Sequence, residues 1–156
     1  MGSRSIWTRR RRSADTRYVP DASLIDQFGG RAGVAALVEE FYRRVEADAG
    51  IRPVYPADLT PAREKLKLFL EQWLGGPAVY SEKYGHPRLR LRHFPFVIDE
   101  RHAGLWLKHM REAMHAQDVP DEAIAVVFER FGPLAKHMVN AHDDVPREII
   151  GDVVMN

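Results

Sequence analysis

The stretch Tyr84-Gly-His-Pro-Arg-Leu-Arg-Leu-Arg-His93, followed by Phe94-Pro-Phe96, decides how the rest of this chain is read. It predicts a short basic helix with His93 at its end, stopped by Pro95, which cannot continue a helical hydrogen-bond ladder. Phe94 and Phe96 supply apolar walls beside the imidazole. A histidine that ligates a metal needs such a setting, in which a neutral ring nitrogen is held in a dry pocket. Trp106 lies thirteen positions after His93.

Composition limits what that pocket could hold. A chain of 156 residues is one domain's worth and can bury about 68–70% of its unfolded surface, enough for a sizeable core or cavity. Hydrophobic residues make up 45%, with 3 Trp, 5 Tyr and 7 Phe, which suits a protein that surrounds something flat and apolar. Cysteine is absent, so disulfides, thiolate zinc sites, iron–sulfur clusters and thiolate-ligated haem are all excluded. No apolar run reaches the ~18 residues of a membrane span, and no apolar stretch turns the basic start into a signal peptide. The cytoplasm is the expected compartment.

Charge is unevenly spread. Residues 1 to 20 carry six arginines, four of them at Arg9 to Arg12, against Asp15 alone; removing this +5 from the chain's +1 leaves −4 for the remainder. The arm at residues 1–21 is expected to be a solvated segment without a dedicated partner, although it could touch phosphates or an acidic membrane face. A haem-free helical interaction module using this arm to bind nucleic acid is a remote alternative. The arm is its only support, and the chain has no recognisable DNA-reading motif.

Periodicity predicts helices and no convincing strand. Ser23 opens a short helix ended by Gly29-Gly30. Val34, Leu37, Val38, Phe41, Tyr42 and Val45 then recur at three- and four-residue steps over about 31–48. Thr60 is read as a cap and Pro61 as the start of a third helix bearing Ala62, Leu66, Phe69, Leu70 and Trp73, which Gly75-Gly76-Pro77 ends. Residues 77–92 are expected to be loop, with one short helical piece ending at His93. Asp99 opens a helix with Ala103, Trp106, Leu107, Met110 and Met114 on one stripe. Asp118-Val-Pro-Asp121 starts the last, through Ile124, Val127, Phe128, Phe131, Leu134 and Met138, with Pro133 expected to bend it.

Phe41-Tyr42, Val54-Tyr55-Pro56, Phe69-Leu-Glu-Gln-Trp73, Gly75-Gly-Pro77, Tyr80-Ser-Glu82, Gly85-His-Pro-Arg-Leu-Arg90, His93 and Trp106, in this order, resemble the group II truncated haemoglobins. The resemblance spans roughly residues 24 to 142. It implies an all-α truncated globin fold, a two-over-two helical sandwich enclosing haem b (iron protoporphyrin IX). The globin domain is placed at 22–142 and a C-terminal tail without assigned function at 143–156.

Residue roles follow from the same resemblance. His93 matches the proximal iron ligand, and its own setting favours it over His86, a candidate for a haem propionate, and over His102, His109, His115, His137 and His142, each expected to be a surface or satisfied residue. The position of a distal histidine is occupied by Ala62. Tyr42, Tyr55 and Trp106 instead surround the gas-binding position and can donate hydrogen bonds. Phe41, Ala62, Leu66, Phe69, Phe96 and Met110 are expected to line the haem pocket, and Lys65, Tyr80, His86 and Arg92 to meet the propionates. The expected ligands are O2, NO and CO, with reactive O2/NO chemistry as the function. That chemistry would be NO dioxygenation or a peroxidase-like activity fed by an unidentified reductase. O2 storage or transport is the alternative, and a homodimer is allowed.

Overall fold

Six residues of the second helix, Val34, Leu37, Val38, Phe41, Tyr42 and Val45, are all buried, so the three- and four-residue spacing read in the sequence becomes one continuous apolar stripe. The computed structural model describes residues 23–147; the basic arm at 1–21 and residues 148–156 of the expected tail lie outside the described residues. The described elements are helices α1 (Leu24–Gln27), α2 (Gly30–Glu46), α3 (Thr60–Trp73), α4 (Val79–Tyr84), α5 (Leu89–His93), α6 (Glu100–Ala116) and α7 (Asp121–Met138), with a 3-10 turn at Arg52–Val54. No strand occurs among the described residues, and none of their helices is long and apolar enough to cross a membrane.

Two helical pairs make the body. The stripe of α2 rests on both α3 and α6, and α6 packs against α7, so the α2–α3 pair lies over the α6–α7 pair in a two-over-two sandwich. The layers meet at Phe41, Tyr42, Met110, Met114, Ile124, Val127 and Phe131, all but inaccessible to solvent. Each such side chain stabilises the fold by about 1.5–3 kcal/mol through removal of apolar surface from water. Arg44 ties the layers at their rim, donating to Glu40 on its own helix at 3.0 Å and to Glu112 of α6 at 2.9 Å.

Caps and corners differ in detail from the sequence reading. Asp99 does open α6, accepting from His102 N–H at 2.8 Å while Asp99 N–H donates to His102 Nδ1 at 3.2 Å, a reciprocal capping box. Thr60 is the first residue of α3 rather than its cap. The aspartate two residues earlier accepts the Thr60 N–H through Asp58 Oδ1 at 3.0 Å. Residues 77–92 hold two helices where one was expected. Local pattern did not disclose α4, which is secured from outside: Gln72 of α3 donates to Ser81 Oγ at 2.7 Å and accepts the Ser81 N–H at 2.9 Å, while Tyr80 is wholly buried against Phe69. Pro133 sits within α7, which runs on to Met138.

The α1–α2 corner is set by close backbone approach. Gly29 adopts a left-handed φ of 84°, and a Cβ on Gly33 would stand 1.9 Å from the Phe28 carbonyl oxygen. Gly104, exposed within α6, has no such neighbour. Gly33→Ala should therefore destabilise the protein by about 1–3 kcal/mol through overpacking. Gly104→Ala should stabilise it by up to about 1 kcal/mol through backbone entropy and helix propensity. Denaturant titration of the two variants checks the opposite signs.

Candidate functional site

The α6–α7 layer, the α3 helix and the short α5 leave an apolar cavity between them, with about 710 Å³ free of protein atoms, counting its open mouth. Leu66 and Phe69 enter it from α3, and Ala103 and Trp106 from α6. Leu134, Ala135 and Met138 of α7 close another wall, while Ile51, Val54 and Tyr55 come from the corner after α2. Leu89 and His93 of α5, together with Ile98 and His102, complete it. Polar atoms are few, and each has a traceable role.

His93 ends α5, as the sequence reading placed it. Its Nδ1 lies 2.5 Å from the Leu89 carbonyl oxygen one turn earlier. A carbonyl oxygen can only accept, so Nδ1 carries the proton, leaving Nε2 with a free lone pair. Burial holds the imidazole below the ordinary histidine range, and the bond to Leu89 offsets this in part. The ring is thereby neutral near pH 7, the form that ligates metal. His102, which the sequence reading passed over, also lines the cavity but has the opposite tautomer. Its Nδ1 accepts the Asp99 N–H, so in the neutral ring Nε2 is protonated and has no lone pair to offer. Among the described residues no three His, Asp or Glu side chains converge as a bare-ion site. A metal met by His93 would need further ligands from a prosthetic group such as a porphyrin.

Tyr42, Tyr55 and Trp106 form one connected unit. The Trp106 indole N–H lies beside the Tyr55 hydroxyl. Burial raises that hydroxyl above the usual phenol value, with the Trp106 N–H acting in the other direction. The Tyr42 ring meets Tyr55 edge-on at 5.8 Å between centroids, and the Trp106 ring lies 5.4 Å from Phe41. Tyr42 is 0% exposed and its hydroxyl has no hydrogen-bond partner. Burial pushes that hydroxyl well above its usual pKa, with the proximity of Tyr55 adding to the rise and Arg63 opposing it. An orphaned buried hydroxyl costs about 1–3 kcal/mol, and Tyr42, like Phe41, is sealed in the core behind Tyr55 and does not line the cavity.

The remaining expected site residues divide. Leu66 and Phe69 line the cavity, whereas Phe41, Ala62 and Met110 are sealed in the core behind it and Phe96 packs on the core's edge. Of the residues expected to meet propionates, none lines the cavity. Lys65, expected at the pocket mouth, is 4% exposed with Nζ 4.9 Å from the Tyr84 ring centroid, because its stem packs inward on α3. Tyr80 is buried beneath α4. His86 is exposed, accepting the Arg88 N–H at Nδ1. Arg92 turns back to donate to the Pro87 carbonyl at 2.7 Å and the Tyr84 carbonyl at 2.9 Å, holding the loop that leads into α5. His109, expected at the surface or satisfied, is 7% exposed, and its Nε2 meets Asp48 Oδ2 at 2.6 Å. Asp48 also accepts the Gly50 N–H at 2.8 Å, and these two bonds hold its carboxyl below the usual range.

Comparison with known proteins agrees with this arrangement. The family model for bacterial-like globins matches residues 23–140. Group 2 truncated hemoglobin YjbI of Bacillus subtilis is 42% identical over 71% of this chain and 84% of its own length. The crystal structure of hemoglobin from the thermophilic phototrophic bacterium Chloroflexus aurantiacus superposes with a TM-score of 0.73 at 45% identity, covering 77% of this chain and 99% of that one. The truncated oxygen-avid haemoglobin of Bacillus subtilis superposes with a TM-score of 0.72 at 39% identity, covering 76% and 100%. With the helical sandwich, the apolar cavity and a lone-pair imidazole at its wall, these matches establish that the chain belongs to the bacterial-like globins, among the group 2 truncated haemoglobins, and is a haem protein that binds oxygen.

Proposed function

We propose that His93 is the axial ligand of haem b and that Tyr42, Tyr55 and Trp106 hold O2 for reaction with NO rather than for delivery. The observation that carries this reading is the pairing, around one apolar cavity, of an imidazole with a free Nε2 lone pair and the neighbouring Tyr55 hydroxyl and Trp106 indole, with Tyr42 edge-on behind them. Haem held there supplies a ferrous iron that takes up diatomic gases and shifts negative charge onto O2, much less onto CO. The similarity to a protein described as oxygen-avid supports the same reading.

The residues act through charge and position. The Trp106 N–H beside the Tyr55 hydroxyl would polarise the phenol and strengthen the O–H that Tyr55 can offer a guest. Tyr42, edge-on behind Tyr55, would add a second O–H once its ring turned toward the cavity, with no competing partner to give up. A hydrogen bond to a charged acceptor is worth about 1.5–3 kcal/mol, so two together slow O2 release by at most about 10²- to 10⁴-fold. Slow release suits poorly a carrier that must unload over a shallow gradient. It suits a protein that keeps O2 until NO arrives to give nitrate, with a reductase supplying the electron for each turnover in the cytoplasm. His93 holds its neutral tautomer through Leu89, and the Leu66, Phe69 and Met138 walls keep water from competing for the donors.

Catalytic nitrate formation from NO and O2 with a reductase present is the expected result, and one nitrate per protein without cycling would instead indicate storage. Replacing His93 with glycine should abolish the five-coordinate ferrous spectrum, and added imidazole should restore it. An unaltered reduced spectrum would rule out His93 as the ligand. Trp106→Phe should raise the O2 dissociation rate by roughly 10- to 100-fold while leaving CO association nearly unchanged, as flash photolysis and stopped flow would record. Tyr42→Phe should stabilise the gas-free ferrous protein by about 1–3 kcal/mol in denaturant titration, because it removes an unpartnered buried hydroxyl, and should speed O2 release.

A further inference from the structure

A helix of five residues cannot sustain itself, since each helical nucleus fixes several dihedral angles for its first hydrogen bond. α5, which carries His93, is such a helix, and it starts from Arg88 in a left-handed conformation (φ 44°) without a side-chain cap. Its entry is secured by Arg92, as described above. Its exit is secured by residues well separated in sequence, beyond the end of α7. Asn140 is 0% exposed and uses every polar group: its Nδ2 donates to the His93 carbonyl at 3.1 Å, its Oδ1 accepts the Ile98 N–H at 3.1 Å, and its own N–H donates to the Ile98 carbonyl at 2.9 Å.

Arg147 completes the strap. One guanidinium nitrogen donates to the Phe94 carbonyl at 3.0 Å and to Asn140 Oδ1 at 2.8 Å, and the other to the Asn140 carbonyl at 2.8 Å. Asp143, between them in sequence, takes a 2.7 Å bond from Arg90 of α5. The body packed on α5 therefore extends past the boundary at residue 142 read from the sequence, as far as Arg147. It also passes the end of the family match at residue 140.

We infer that Asn140 and Arg147 are positioning residues for His93, fixing its main chain at the carbonyl while Leu89 fixes its ring. This inference rests on the proposed role of His93 as the iron's axial ligand. The chemistry follows from the geometry. The His93 ring can turn only about bonds anchored to its backbone, and that backbone is gripped at residues 93, 94 and 98 by two side chains that are themselves bonded to each other. Loss of either grip would let the imidazole tilt or withdraw and so weaken its hold on an iron bound there.

The test uses the haem-loaded protein with Asn140→Asp, which keeps the acceptor for Ile98 and Arg147 but loses the donor to His93, and with Arg147→Met, which keeps an apolar stem and loses every donor. Arg147→Lys serves as the conservative variant. In resonance Raman spectra of the gas-free ferrous protein, the iron–histidine stretching band should shift or broaden in the first two variants and recover in part in the third. O2 and CO association should change by one common factor, because the gas-side donors are untouched, and haem transfer to an acceptor globin should quicken by about 10- to 100-fold. A wild-type iron–histidine band and wild-type gas constants, even with faster amide exchange at residues 94–98, would reduce the strap to a structural tie and overturn the inference. A change in the O2 to CO ratio alone would overturn it too. Failure of the His93 assignment itself would appear separately, in the glycine variant of His93.

Discussion

The hydrogen bond from His93 Nδ1–H to the Leu89 carbonyl is the constraint around which this cavity is organised. It settles which ring nitrogen keeps its proton and so which can bind iron, and it does so within a single helical turn. The neighbouring His102 demonstrates the alternative. Placed in the same cavity, it spends Nδ1 as an acceptor in the α6 capping box and can present only a protonated Nε2. Two histidines that line one cavity thus differ in competence because their backbones offer them opposite partners, one a carbonyl and the other an N–H. Burial acts in the same direction at His93 by disfavouring the imidazolium.

Around that imidazole, the fold separates the two tasks of retention and discrimination. Retention falls to aliphatic and aromatic walls drawn from α3, α6 and α7. The absence of Lys65, Tyr80 and Arg92 from the cavity wall leaves those walls with most of the burden, and exposed ion pairs would have added only about 0–1 kcal/mol each. Under the proposed function, discrimination falls to aromatic side chains with polar tips, where a low local dielectric magnifies any difference in charge between one gas and another. Keeping the Tyr42 hydroxyl buried and unpaired costs stability, as is expected where the proposed function opposes folding.

Much of this was legible in the chain. Long apolar stripes announced α2, α3, α6 and α7, and the aromatic and proline residues after His93 marked the end of α5. What escaped notice has a common cause in interactions remote in sequence. α4 owes its existence to Gln72 and to the burial of Tyr80. Arg147 acts on carbonyl oxygens about fifty residues away, and backbone acceptors carry no signature in a string of side chains. Cavity wall and core were also confused. Phe41, Ala62 and Met110 share helical spacing with true wall residues, while Ala135 and Met138 of α7 line the cavity yet read as ordinary packing. Periodicity reports which face of a helix is apolar, and it is silent on whether that face meets protein or empty space.

The bond between the half-buried Asp48 and the buried His109 has a wider effect than holding one corner. Asp48 opens the segment that carries Ile51, Val54 and Tyr55, and His109 lies one turn beyond Trp106 on α6, so the phenol and the indole that meet over the cavity sit on pieces of chain riveted to each other. The imidazole side has its own independent moorings at residues 84–98 and 140–147. Gas preference and grip on the metal can consequently drift apart in evolution, with substitutions on one side leaving the other undisturbed and their free energies adding. A scaffold built in this way can yield descendants that share a pigment yet differ widely in what they hold and for how long.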